Sequence, residues 1–202
     1  YEAVYTRITE EDVSTLKGLD DFSRVGEYYM LAVEPAEQGY NASYIYCDEE
    51  TMYIARDQMK LLEGRLPQKE DEVVVSRYFL SNYGADAGIG EKVMLSSESF
   101  HGEYMVTGIM EGYKEKEVNG TSILLSKEAL KGWSGYDPAD YRAYVHFKNE
   151  QQMDETELTA RSREIAKEYQ LEMPVMNLSY MKFYKQPVNV SMLALVAGIA
   201  VL

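Results

Sequence analysis

Few residues in this 202-residue chain have the types and spacing to do chemistry. Histidine occurs twice, at His101 and His146. Two imidazoles can anchor a metal ion, but a full site needs further ligands. His101 falls in a stretch that reads as a hairpin loop, and His146 alternates with Val145 and Phe147 in a strand. An isolated histidine is more simply a solvated or satisfied one. Cys47 is the only cysteine, which excludes an intrachain disulfide and a cysteine metal cage. Gly88-Ile-Gly90 lacks the following glycine and the Lys-Ser/Thr pair of a phosphate-cradling loop. No Gly-x-Ser-x-Gly nucleophile turn occurs, and no Asp-rich calcium loop. The acidic pairs Glu49/Glu50 and Glu70/Asp71 lie in polar connectors, where nothing tunes a carboxyl group for acid–base work. The sequence therefore argues against an enzyme and asks for no catalytic residue, metal or cofactor.

Charge narrows the partners. Thirty-four acidic residues against 20 basic ones leave a net charge of −14. Nucleic acid is excluded, because phosphate binding needs a basic face. A polybasic dock on anionic lipid is excluded for the same reason. A surface this acidic steers cations, so a cationic peptide is a candidate substrate; the plainer reading is that the charge keeps the domain soluble. With 46% hydrophobic residues and 18 tyrosines the chain can build a core. Tyr28, Tyr29, Trp133 and Tyr136, with Tyr44 and Tyr46, are candidates for an aromatic contact surface toward a partner or an acyl chain.

The elements that must position these residues follow from periodicity. Residues 2–8 read as a strand, and Thr9-Glu-Glu-Asp12 caps a short helix that Gly18 stops. Strands follow at 25–33 and 40–47, and residues 49–62 tend to helix. Glu72-Val-Val-Val75 is a short buried strand, and Ser76 caps a helix through Tyr83. Strands at 91–95 and 103–110 flank a hairpin loop, and residues 111–120 read as an exposed charged loop. Strands at 123–125 and 141–147 follow. The longest helix begins at Asp154-Glu-Thr-Glu157, a capping box, and buries Leu158, Ser162, Ile165, Ala166 and Tyr169. Glu157 and Arg161 are placed to pair on its wet side. Residues 173–184 read as extended. This pattern is α+β in two lobes: a β-α-β lobe from both ends of the chain, with a strand-rich lobe inserted between them.

The C-terminus differs from the rest. No charge follows Lys185, and Val190 to Leu202 is an apolar run of 13 residues with no polar stripe. A spanning helix needs roughly 20 apolar residues. The run reads as the start of a transmembrane helix, its small residues (Ala194, Ala197, Gly198, Ala200) suited to membrane packing and Lys182 and Lys185 placed at the interface. The competing reading is a buried terminal helix.

One block of motifs carries a resemblance. Leu62-Glu-Gly-Arg-Leu-Pro67, Glu72-Val-Val-Val-Ser76, a short helix ending at Gly84, Ile89-Gly-Glu-Lys-Val-Met-Leu95 and Tyr104-Met-Val-Thr-Gly-Ile109 occur in this order. The order and spacing resemble the extracytoplasmic domain of MacB/FtsX-like ABC transporter permeases. Over most of the chain the layout is similar too, with the apolar tail at the position of the second transmembrane helix. The resemblance implies a porter-like lobe at 1–63 and 126–187, an inserted strand-rich lobe at 64–125, and a truncated transmembrane helix at 188–202. It implies a permease dimer driven by a cytoplasmic ATPase subunit or domain, coupling ATP-driven motion to an extracellular substrate or an accessory extracytoplasmic protein. The motif residues carried over are structural: Gly64, Arg65, Pro67, Glu72, Ser76, Gly90, Val93 and Gly108. The alternative is a soluble secreted peptide- or lipid-binding module with a buried C-terminal helix.

Overall fold

The computed structural model describes residues 1–84, 87–112, 115–149 and 152–184. In chain order its elements are β1 (Ala3–Ile8), α1 (Glu10–Gly18), β2 (Phe22–Pro35), β3 (Asn41–Cys47), α2 (Glu49–Ile54), β4 (Met59–Gly64), β5 (Glu72–Ser76), α3 (Arg77–Tyr83), β6 (Lys92–Ser96), β7 (His101–Gly112), α4 (Glu115–Val118), β8 (Gly120–Leu125), α5 (Lys127–Gly132), β9 (Tyr141–Phe147), α6 (Glu155–Glu168), β10 (Val175–Met176) and α7 (Leu178–Tyr184). The fold is α+β, and the ten strands join in the order β10-β1-β9-β2-β3-β8-β5-β7-β4, with β6 also on β7. Two ladders are parallel, β3 with β8 and β5 with β7. Strands from the two ends of the chain fill one side of that order and strands from its middle fill the other; β3 and β8 join them.

Each face of the sheet buries its own core. On one face, Val13 and Leu16 of α1, Phe79 of α3, Leu130 of α5 and Leu158, Ile165 and Ala166 of α6 pack against Tyr5, Tyr29, Val73, Val75 and Val145. On the other, Met52 and Ala55 close over Tyr28, Ile45, Cys47, Val74 and Leu124. Val73, Val74 and Val75 are all fully buried, two on one face and one on the other. That is why β5 reads as a continuous apolar run rather than an alternating one.

The helix caps form as the residues dictate. Thr9 and Asp154 make capping boxes with Asp12 and Glu157, and Ser76 and Ser126 cap α3 and α5. Asp48 also caps α2, its Oδ1 accepting from Thr51 N at 2.8 Å and Glu27 N at 2.9 Å. Gly26 lets α2 sit this low: a Cβ there would fall 2.6 Å from Thr51 N. Cys47 lies under this helix, and burial pushes its thiol well above the ordinary range. Ellman's reagent is therefore expected to leave Cys47 unmodified in the folded protein and to titrate one thiol once urea unfolds it.

Four expectations need correction. Residues 59–62, read as the end of a helix, belong to β4 (Met59–Gly64), because pairing with β7 outweighs the helix preference of Met, Lys and Leu. The stretch 111–120 holds the end of β7, the short α4 and the start of β8 rather than a loop throughout. Residues 178–184 are helical, not extended. Arg161 pairs with Asp21 at 2.7 Å and Glu164 at 3.2 Å, because Glu157 is held by the cap, its Oε2 accepting from Asp154 N at 2.9 Å. No described helix is long and apolar enough to cross a membrane. The expected transmembrane start at 188–202 lies outside the described residues.

Candidate functional site

The motif residues converge on β7. Gly64 of β4 stands opposite Gly108 of β7. Gly64 adopts φ +80°, and a Cβ on it would sit 2.2 Å from the carbonyl oxygen of Thr107. A Cβ on Gly108 would lie 2.7 Å from the Arg65 carbonyl oxygen. Two backbones touch here, and side chains on either would separate them. Arg65 N donates to Thr107 O at 3.0 Å, and the Thr107 hydroxyl reaches Arg65 O and Val73 O at 3.3 and 3.2 Å.

The loop from Gly64 to Glu72 closes on one buried carboxylate. Arg65 Nη1 and Nη2 donate to the two Glu72 oxygens at 2.8 and 2.7 Å. Gln68 N and Lys69 N add hydrogen bonds at 2.8 and 3.3 Å. Glu72 is 3% exposed. The Arg65 guanidinium, with these two backbone donors, overcomes burial and pulls the Glu72 carboxyl down to about 2. Pro67 sits half-buried in the same loop. The remaining motif residues meet β7 directly. Gly90, at φ +87°, donates from N to Val106 O at 2.8 Å, Val93 pairs with Tyr104, and Ser76 pairs with Met110.

The Ser76 hydroxyl accepts from Phe79 N at 2.9 Å and lies 2.8 Å from Thr121 Oγ1. Thr121 in turn donates to buried Glu115 at 2.9 Å. Ser76→Ala is expected to cost about 1 kcal/mol of stability, read as a lower urea midpoint, because α3 loses its capping oxygen.

The two histidines lie on different strands. His101 is exposed on β7. His146 on β9 places Nδ1 3.0 Å from the fully buried carboxylate of Glu2, which also accepts from Phe147 N at 3.0 Å. Among the described residues no three His, Cys, Asp or Glu side chains converge as metal ligands. A charge network missed by sequence reading ties α1 and α5 to the sheet. Lys127 contacts Glu10 at 2.6 Å and buried Glu27 at 2.7 Å, and Lys17 contacts Asp48 at 2.9 Å. Burial opposes the Lys127 ammonium, but these two carboxylates outweigh it and hold its pKa up. No spacing rule links positions 10, 27 and 127, so only the fold reveals the network.

The proposed aromatic surface is corrected in part. Tyr28 and Tyr29 are 6% and 1% exposed, and Tyr44 is fully buried. Tyr29 is anchored by Asp137, whose N donates to its hydroxyl at 2.9 Å. Period-two burial on both faces of β2 hides both neighbours. Trp133 and Tyr136 are half-buried beside the first core. A cleft of about 460 Å³ opens between α3 and the end of β7, with Arg77, Tyr78, Glu111 and Glu115 among its walls. A smaller one of about 260 Å³ lies by Asp21, Phe147 and Arg161.

No protein-family model matches the chain, and comparison with curated proteins finds no match either. Solved structures do match. The chain superposes on the extracellular domain of the noncanonic ABC-type transporter YknZ from Gram-positive bacteria with a TM-score of 0.58 at 16% identity, covering 85% of this chain and 96% of that one. It superposes on the periplasmic region of MacB from Actinobacillus actinomycetemcomitans with a TM-score of 0.57 at 10% identity, covering 93% of each. The sheet and helices described here therefore share the fold of the extracellular domain of YknZ and the periplasmic region of MacB.

Proposed function

We propose that this chain is a non-catalytic extracytoplasmic domain of an ABC transporter permease, coupling ATP-driven transmembrane motion to an extracellular substrate or partner. The observation that carries the reading is the shared fold, which spans nearly the full length of both chains in the YknZ and MacB comparisons. The position of the two chain ends supports it. Ala3 pairs with Met176 and Val4 with Val175, and Asn177 N donates to Glu2 O at 2.8 Å. Chain entering β1 and chain leaving after β10 thus run side by side, as a domain hung between two neighbouring membrane helices requires. The lobes are residues 1–63 with 126–187, and an inserted lobe at 64–125; the parallel β3–β8 ladder joins them, and β4, which the boundary at 63/64 crosses, pairs into the insert. Residues 188–202 begin a transmembrane helix.

The partners are the protein's own transmembrane helices, a second permease copy and a cytoplasmic ATPase, with an accessory extracytoplasmic protein, a cationic peptide or a lipid at the outer end. The test is extraction of the full-length gene product from its own cells. Recovery from the membrane fraction in detergent, together with an ATP-binding subunit or domain, is the expected result. Recovery in the aqueous fraction without an ATPase overturns the reading and favours a soluble binding module. Deleting the domain and measuring resistance to cationic peptides then tests the substrate class.

A further inference from the structure

Large apolar side chains left in solvent are informative when they cluster. Met173 and Val175 are 63% and 61% exposed, and Leu178 is 45% exposed. They fall within six residues of one another at the β10 edge of the sheet. Met173 lies two residues before Val175, the first residue of β10. Val175 stands opposite Val4, which continues to Tyr144 on the neighbouring strand. The ring of Tyr1 meets Tyr144 edge-on at 4.8 Å. The nearby acidic Glu172 is engaged by Arg7 at 3.3 Å.

Sequence continuity indicates what covers this patch. The apolar run starting at Val190 follows Tyr184 by six residues, a span of at most roughly 20 Å. Lys182 lies just before Tyr184 and Lys185 just after it in the sequence, and no acidic residue follows Glu172. Tyrosine, and lysine next to an apolar run in sequence, are residues that favour a membrane–water interface. We infer that Met173, Val175 and Leu178 form a surface that rests on the lipid bilayer and fixes how the domain stands on it. This rests on the membrane-tethered reading above and adds a contact that reading does not require. A domain held only by its two chain ends would swing, whereas an apolar foot seats it.

The test uses the full-length gene product with Cys47 and any further cysteine replaced by alanine. Single cysteines are placed at Val175, at Val196 and, as a control in the bend between β6 and β7, at Glu98, and each is labelled with an environment-sensitive fluorophore. The proteins are reconstituted in phosphatidylcholine vesicles carrying either shallow or deep spin-labelled lipids. Expected are a blue shift and quenching by the shallow label at 175, quenching by the deep label at 196, and neither at 98. Quenching at 196 without quenching at 175 leaves the tether standing and overturns the resting surface. No vesicle association and no quenching at 196 overturns both. A label at 175 already blue-shifted in detergent-free buffer without vesicles means that the tail or a second copy covers the patch, which also overturns the proposal.

Discussion

Gly64→Ala is expected to lower stability by about 2–5 kcal/mol, the largest loss among single alanine replacements in the motif block. Two penalties combine. An L-residue at φ +80° costs about 1–2 kcal/mol. The new methyl would meet Thr107 O at 2.2 Å and Gly108 Cα at 2.8 Å, both backbone atoms that cannot turn aside. The β4–β7 ladder must then open, at an overpacking cost of about 1–3 kcal/mol. Two other glycines separate the penalties. Gly108→Ala adds only the steric clash, 2.7 Å from Arg65 O, and should cost about 1–3 kcal/mol. Gly90→Ala adds only the backbone penalty, since φ is +87° and nothing lies within 4 Å, and should cost about 1–2 kcal/mol. Urea midpoints followed through the single Trp133 would give the order Gly64, Gly108, Gly90. A Gly64 variant no weaker than the Gly90 variant would refute the close-approach account. The same comparison tests whether the Gly-Arg-x-Pro block is a structural device.

Glu72→Gln is expected to remove about 1–3 kcal/mol at neutral pH and to flatten the acid limb of the stability curve. Glutamine keeps the shape but loses the charge that holds Arg65 and both loop N–H groups. The sign follows from the two pKa values. In the folded protein the carboxyl lies near 2, below its ordinary 4.5. The unfolded chain therefore binds more protons between those values, and acid favours unfolding. The stabilisation is complete above about pH 5 and fades as pH falls toward about 2. Arg65 is half exposed, so solvent screens the pair and the loss stays at the modest end of what a buried pair would show. Glu10 and Asp21, also held low by Lys127 and Arg161 respectively, keep some acid sensitivity in the variant. Comparing wild type and variant by urea denaturation at pH 7 and pH 2.5 decides the matter. A difference of equal size at both pH values would mean that packing, not charge, is what glutamine disturbs.

These two sites show how much could be read from residue order. Gly64, Glu72 and Gly108 stand out in the sequence through the resemblance that their motif block carries. The reason for it is visible only once β7 runs between β4 and β5, with Glu72 folded back under Arg65. The caps at Thr9, Ser76 and Asp154 were legible because each depends on residues three apart. The strand β4 was not, because Met-Lys-Leu-Leu-Glu prefers helix in isolation and its partner lies some fifty residues away.

The sequence by itself determined what depends on local chemistry: the turns that need glycine, the helix starts that carry a capping side chain, the buried apolar strands, the acidic balance and the apolar tail. Tertiary structure alone decided which strands pair, that Tyr28 and Tyr29 are core residues rather than surface, that Lys127 meets Glu10 and Glu27, and that β1 and β10 lie side by side at one edge of the sheet. The division has a physical cause. Backbone dihedrals, caps and hydrophobic period act over a few residues and leave their mark in the order of amino acids. Pairings such as Glu2 with His146 join positions far apart in the chain, and only the closed sheet brings them within hydrogen-bonding distance.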